Sequence, residues 1–136
     1  MDERLTAESA MRGAEFRAAL RRFLRRAERA ARSSGLTPQR YLLLLMIKGA
    51  PDGSEKSTVT ELADRLQLAQ STVTELVRRA EEVGLVTREA SAVDGRVAHL
   101  RLTEEGEKRL ARSFASLAVE RDALRATFAQ LDEPTS

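Results

Sequence analysis

The chain has 136 residues, of which 42% are hydrophobic and 32% are charged, and this is enough apolar material for one folded domain. No apolar run approaches the roughly 20 residues that a membrane-spanning helix needs, and the charged N-terminus lacks the apolar core of a signal peptide. Cysteine is absent from the sequence, which excludes disulfides, thiolate metal sites and thiol redox switches. We therefore expect a soluble cytoplasmic protein that binds no metal, no other cofactor and no membrane.

The net charge of +2 is unevenly distributed. Residues 11–40 contain nine arginines and two acids, a net +7, whereas residues 58–103 contain six arginines and seven acids, a net −1. The basic stretch lies on a predicted amphipathic helix over residues 9–33, for which Thr6 or Ser9 is a suitable cap. Its arginine face is either an ordinary solvated surface or a surface that faces phosphates or acids.

A second helix is predicted from Pro38 to Lys48. Thr37 is a good helix cap, and proline fits the first turn because its missing N–H would have no partner there. The helix is apolar on nearly every side, so we expect it to be buried on all sides. The turn-rich segment GAPDGSE, residues 49–55, follows as a loop.

The stretch from Thr58 to Val86 predicts two short helices joined by a tight turn, since its apolar repeat is interrupted once and resumes in a new phase. Thr58 and Glu61 have the spacing of a capping box at the start of the first helix. The second helix is expected to bury four residues: Val73, Leu76, Val77 and Ala80. Its outward face is then polar: Gln70, Ser71, Thr72, Thr74, Glu75 and Arg78. Hydroxyl and amide groups approach base edges of DNA with little desolvation cost, so this face indicates nucleic-acid recognition.

Two residues near the turn depart from the usual helix-turn-helix pattern. Gln67 stands where glycine is usual, so a left-handed backbone there would be strained by roughly 1 kcal/mol. Ala69 stands where Ser or Asp would cap the second helix, at a cost of about 1 kcal/mol unless Gln70 or Ser71 takes over.

A β-hairpin is predicted after the two helices, because the apolar period changes to two over residues 86–90 and 96–102. Asp94-Gly95 marks the turn. We expect Leu100 and Leu102 to face inward, so that the hairpin packs behind the second helix as a wing.

The polar residues of the hairpin have separate expected roles. Arg96, just past the turn, is placed to reach a minor groove or a flanking phosphate, or to pair with Asp94. Arg88 on the first strand is the other cation that we assign to DNA contact. His99 is expected to be a surface residue rather than a metal ligand.

Residues 104–131 predict a second long amphipathic helix, with acids in its first turn where the helix dipole favours them. The helices at the two ends flank a module too small to bury both apolar stripes. Pairing with a second copy of the chain would bury them.

Three segments resemble the MarR (multiple-antibiotic-resistance regulator) family of winged-helix transcription factors. They are GLTPQRYLLLLMI (35–47), TVTELADRLQLAQSTVTELVRRAEEVGLV (58–86) and VDGRVAHLRLTEEG (93–106). The last contains the D-x-R wing signature, Asp94 and Arg96, followed by L-T-x-x-G. The resemblance implies a mostly α fold with a small β-hairpin wing, a winged helix-turn-helix. It also implies one domain over residues 1–136, with dimerisation helices at 9–33 and 104–131 and a winged-helix module at 37–103.

The resemblance further implies a homodimer that binds a palindromic operator in double-stranded DNA through recognition helix 70–83 and wing 86–102, most often as a repressor. The DNA-contacting positions would be Gln70, Ser71, Thr72, Thr74, Glu75, Arg78, Arg88 and Arg96. Glu75 departs from the family pattern: it either accepts from cytosine N4 or repels phosphate.

Many relatives bind small anionic aromatic effectors between the dimerisation helices and the winged module. The positions that correspond here are Phe16, Arg40, Tyr41 and Phe114. The alternative is that Tyr41 and the two phenylalanines are ordinary core residues.

Two other classes of function compete with DNA binding. An enzyme is not supported, since the chain has no cysteine and one histidine, and the paired glutamates at 81/82 and 104/105 point to different helix faces. A winged helix that contacts protein, or a family member without DNA binding, remains open because the module has a net charge of −1.

Overall fold

The computed structural model describes residues 4–91, 93 and 95–131, which are mostly helical with one small antiparallel sheet, as predicted. The helices are α1 (Ala7–Ser33), α2 (Pro38–Lys48), α3 (Val59–Leu66), α4 (Gln70–Glu82), α5 (Glu104–Ser116) and α6 (Ala118–Leu131). The strands are β1 (Lys56–Ser57), β2 (Val86–Ala90) and β3 (Ala98–Leu102). In these ranges no helix combines the length and apolar character needed to span a bilayer.

Threonine caps fix where four of the helices begin. Thr6, Thr37, Thr58 and Thr103 each accept a hydrogen bond from the N–H three residues later. At α3 the capping box is complete, because the Glu61 carboxylate accepts in return from the N–H of Thr58 at 2.9 Å. The predicted starts of α2, α3 and α5 are confirmed, whereas α1 begins at Ala7 rather than at residue 9, with Thr6 as its cap. Each start rests on a bond between near neighbours in sequence.

The sheet has a strand that the sequence did not predict. Strand β1 pairs with β3, with Ser57 opposite Leu100, so the strand order is β1-β3-β2 and β3 is central. Strand β1 has only two residues, which is too short for the alternation of apolar and polar residues that predicts a strand. The hairpin itself forms as expected, with Val86 opposite Leu102, but β3 begins at Ala98 rather than at residue 96.

The core lies between α2, α3, α4 and the sheet. Its fully buried side chains are Leu43, Leu44, Ile47, Leu62, Val73, Val77, Leu85 and Leu100. The expectation that α2 is buried on all sides is wrong, because Leu42 is 42% exposed. Leu42 lies on the side of α2 that borders an open cleft next to α1.

The predicted long helix over residues 104–131 is divided at Leu117, which ends α5. The hydroxyl of Ser116 donates to the carbonyl of Ser113 at 2.8 Å, and the N–H of Leu117 bonds to Phe114 instead. A side chain that competes for a backbone carbonyl in this way interrupts the regular helical ladder. Both α5 and α6 pack along α1.

A close backbone contact joins the wing to α5. Thr103 donates its N–H to the carbonyl of Leu85 at 3.0 Å and its hydroxyl to the carbonyl of Gly84 at 2.6 Å. A Cβ on Gly106 would lie 2.2 Å from the carbonyl oxygen of Leu85. The spacing of L-T-x-x-G therefore has a physical cause, since threonine anchors the junction and only glycine permits the approach.

Candidate nucleic-acid interface

The turn between α3 and α4 holds the second helix at the protein surface. Gln67 has φ 56° and ψ 47°, so its backbone is left-handed, the case for which the sequence predicts strain. Its side-chain amide donates to the carbonyl of Asp64 at 2.5 Å. Ala69 caps α4 without a side-chain hydrogen bond. Neither Gln70 nor Ser71 replaces the missing cap, so the first N–H groups of α4 have no side-chain partner in this part of the structure.

Helix α4 has a buried side and an exposed side. Val73, Val77 and Ala80 are fully buried against the core. The exposed side has four small polar residues in the first half of the helix: Gln70, Ser71, Thr72 and Thr74. Their hydroxyl and amide groups can both donate and accept, which suits contact with base edges in a major groove.

The second half of the exposed side is an ion-pair network around Glu75. Arg78 donates to both Glu75 carboxylate oxygens, from Nε at 2.9 Å and from Nη2 at 2.5 Å, and Arg79 donates from Nε at 3.0 Å. Arg78 also bonds Glu82 through Nη1. The hydrogen bonds from Arg78 and then from Arg79 lower the pKa of Glu75 to about 2. These side chains are about half exposed, so the network contributes little to stability.

The wing is tied to α4 by one further ion pair. Arg88 on β2 donates from Nε to the Glu81 carboxylate at 2.9 Å. Arg96 lies exposed in the turn that leads into β3. Asp94 is outside the described residues, so the predicted ion pair between Asp94 and Arg96 also falls outside them.

Arg79 is the residue of this surface that the sequence prediction missed. Its side chain is 61% exposed on the same helix, and its position four residues after Glu75 is the spacing of an ion pair along a helix. Arg78, Arg79 and Arg88 each have an acidic partner. The surface is therefore electrically mixed rather than basic.

His99 is more buried than expected for a surface residue. Its Nδ1 atom is buried and has no hydrogen-bond partner in the described part of the chain. His99 lies on β3, the central strand of the sheet, where it pairs with Glu89 of β2.

A second site, a cleft of about 220 Å³, brings together Tyr41, Phe114 and Arg121 beside the apolar side chains of Leu24 and Leu42. The Arg121 guanidinium lies 3.5 Å from the centre of the Phe114 ring. Burial raises the pKa of Tyr41, and the charge of Arg121 partly opposes this.

Of the four predicted effector residues, the structure places Tyr41 and Phe114 in the lining of this cleft. Phe16 packs edge-on against Phe128 instead, with ring centres 4.6 Å apart. Arg40 lies in the first turn of α2, where its N–H is bound by Thr37. Sequence reasoning missed Arg121, because that residue reaches the cleft from beyond the break at Leu117.

Comparison with known proteins gives consistent results. Residues 34–97 match the family model described as MarR family. The chain is 37% identical to the HTH-type transcriptional repressor MdtR of Bacillus subtilis (strain 168) over 73 residues, which cover 54% of this chain and 44% of that protein. The chain thus spans about half the length of the curated relatives it matches.

Solved structures have the same winged-helix fold. A mutant MarR from E. coli, complexed with operator DNA, superposes with a TM-score of 0.66 at 19% identity, over 90% of this chain and 85% of that one. The PcaV transcriptional regulator of Streptomyces coelicolor, in complex with its natural ligand, gives 0.53 at 28% identity, over 66% of this chain and 61% of that one.

Proposed function

We propose that the chain is a winged-helix regulator of the MarR family, whose model its residues 34–97 match, and that it binds operator DNA and regulates transcription. The curated relatives are named as a transcriptional repressor and a transcriptional regulator, which supports a regulator rather than an enzyme. The observation that supports DNA binding most directly is the exposed face of hydroxyl and amide groups on α4. The MarR that was solved with operator DNA has the same fold.

The proposed mode of binding is a cytoplasmic homodimer on a palindromic site. Two copies of α4 enter adjacent major grooves about 34 Å apart, and Arg96 of each wing contacts the flanking backbone or minor groove. Gln70, Ser71, Thr72 and Thr74 face the bases. Repression is the proposed outcome, in line with the name of the relative MdtR. The alternative is a winged helix that contacts protein. The ion pairs of Arg78 and Arg79 with Glu75 favour this alternative, because they reduce the positive charge that α4 offers to phosphates.

A gel shift on the intergenic DNA upstream of the protein's own gene tests the proposal. Arg96→Ala should weaken binding to all sequences, because a backbone contact is lost, whereas Thr74→Ala or Gln70→Ala should change which bases are preferred. Lys108→Ala, at a 63% exposed position near the start of α5, removes the same charge as Arg96→Ala and should leave binding unchanged. Tight binding retained by both Arg96→Ala and Thr72→Ala would count against these roles. Absence of any shift would favour the protein-contact alternative.

The cleft supports a second proposal, that a small aromatic anion regulates DNA binding. About 150 Å³ is enough for benzene in a protein cavity, and the cleft is larger. Arg121 supplies the charge for a carboxylate, and Phe114 and Tyr41 supply aromatic contacts. Benzoate is the simplest probe: we expect it to bind by calorimetry and to weaken the gel shift. Arg121→Gln should abolish the effect and Arg125→Gln should not. An equal response in both variants would place benzoate elsewhere.

A further inference from the structure

Glu75 is a carboxylate at the centre of the surface that we propose faces DNA. At 100° per residue it lies on the opposite side of α4 from the buried Val73 and Val77. A negative charge in this position is repelled by phosphates. Its presence on a DNA-binding surface therefore needs a physical reason.

The hydrogen bonds of Glu75 limit what it can do. One oxygen accepts from Nε of Arg78, and the other accepts from Nη2 of Arg78 and Nε of Arg79. Three of about four acceptor positions on the carboxylate are thus taken by arginines. If Glu75 accepted a hydrogen bond from cytosine N4, that bond would compete with the bonds from the two arginines. The arrangement leaves both Nη groups of Arg79 without a partner among the described residues.

We propose that Glu75 is a positioning residue for sequence recognition: it fixes the guanidinium groups of Arg78 and Arg79 so that the Nη groups of Arg79 meet guanine O6 and N7. The inference rests on the proposed DNA-binding function. In water such exposed pairs are weak. Binding in a groove displaces part of the surrounding water and strengthens the same pairs, so the fixed arrangement matters at the moment of recognition. A guanidinium plane held in one orientation matches few arrangements of acceptors, which gives discrimination between bases.

The proposal predicts opposite effects on specific and non-specific binding. Glu75→Gln removes a negative charge and frees two arginines, so affinity for any duplex should rise by about twofold to threefold. The preference for the operator over a scrambled duplex should fall about tenfold, the size expected when a bidentate contact to a base is lost. The freed arginines should also steepen the salt dependence of scrambled-duplex binding by about one released ion.

The experiment is fluorescence anisotropy with an operator duplex, selected from genomic DNA by the wild-type protein, and a scrambled duplex of equal composition. Arg78→Lys keeps the charge but loses the two-pronged bond to Glu75, so it should lower the preference about tenfold as well. The double variant E75Q/R78K should lower the operator preference no further than either single variant, because both changes break the same Glu75–Arg78 bonds. Asp64→Asn is the matched control. It removes the same charge from an exposed position on the neighbouring helix α3, outside the Glu75 network, so both affinities should rise together.

Two results would overturn the inference while DNA binding stands. If Glu75→Gln raises both affinities equally, as Asp64→Asn does, then Glu75 only repels phosphate. If its effect is confined to one C·G pair and Arg78→Lys leaves that pair unaffected, then Glu75 is a direct reader of cytosine. A wild-type protein that prefers no duplex would instead overturn the proposed function, and this inference with it. Far-UV circular dichroism checks that each variant retains its helices.

Discussion

Gly106 is the single residue for which the structure makes the clearest prediction about stability. A Cβ at this position would lie 2.2 Å from the backbone oxygen of Leu85, and neither group can move without shifting the wing or α5. We expect Gly106→Ala to lower the free energy of unfolding by about 1–3 kcal/mol, as overpacking does in protein cores. Urea denaturation measures this.

Gly13 provides the control for that substitution. It lies within α1, and an added Cβ would have no atom within 4 Å. Gly13→Ala should therefore stabilise the protein by roughly 0.5–1 kcal/mol, because alanine loses less backbone entropy in a helix. If both alanine variants changed stability in the same direction, the contact at Leu85 would not be the cause.

The ionisation of Glu75 gives a second prediction at the level of single residues. Its pKa in the folded chain is lowered from 4.5 to about 2 by Arg78 and Arg79. The ionised form is thus favoured by folding, and the contribution is present above 4.5 and is lost as the pH falls towards 2. A carboxyl titration followed by NMR should show the low midpoint. In an R78Q/R79Q variant the midpoint should return towards 4.5, and an unchanged midpoint would show that the ion pairs do not form.

Among the secondary-structure elements, α4 begins without a side-chain cap, and this can be corrected by one substitution. Ala69 has φ −65° and ψ 148°, the extended conformation of a cap residue. Ala69→Ser should add a hydrogen bond to a free N–H and stabilise the protein by about 1 kcal/mol. Thr58→Ala, which removes the existing cap of α3, should cost a similar amount. Thermal unfolding of both variants tests this, and a neutral Ala69→Ser would mean that water already satisfies the N-terminus of α4.

The elements differ in how far the sequence predicts them, and the reason is the range of the contacts involved. The start of α3 follows from Thr58 and Glu61, because the capping box is made by residues three apart. Strand β1 exists only because Ser57 meets Leu100 across the sheet, and no local pattern shows that pairing. The break at Leu117 depends on one side-chain hydrogen bond that a continuous apolar stripe conceals.

In the candidate site, too, local features could be predicted from the sequence and contacts between side chains could not. The polar face of α4 could be predicted from helical periodicity and is exposed as expected. What periodicity does not give is which charges meet. The contacts of the Glu75 oxygens with Arg78 and Arg79 appear only in the structure, and the proposed positioning role depends on them. Arg121 lines the cleft because α6 packs along α1, and the sequence does not show this contact between distant helices.

For the whole molecule, the pattern of exposed apolar side chains bears on assembly. Large apolar residues are exposed on the terminal helices: Leu24 at 48%, Phe114 at 40%, Val119 at 77% and Phe128 at 49%. Large apolar side chains that stay exposed on the terminal helices are typical of surfaces covered by a protein partner. We expect these helices to pair with a second copy of the chain, which would also set the distance between the two α4 helices.

Val119→Glu tests this assembly, because Val119 is exposed in the single chain and its replacement should not disturb the fold of one subunit. We expect sedimentation equilibrium to give twice the chain mass for the wild type and the chain mass for Val119→Glu. Operator affinity should fall by about 100-fold or more, since linked binding to two half-sites is lost. Val93→Glu, which places the same charge on a 98% exposed position in the wing, should leave the dimer intact. A monomeric wild type that still binds a palindrome with full affinity would exclude the two-fold arrangement.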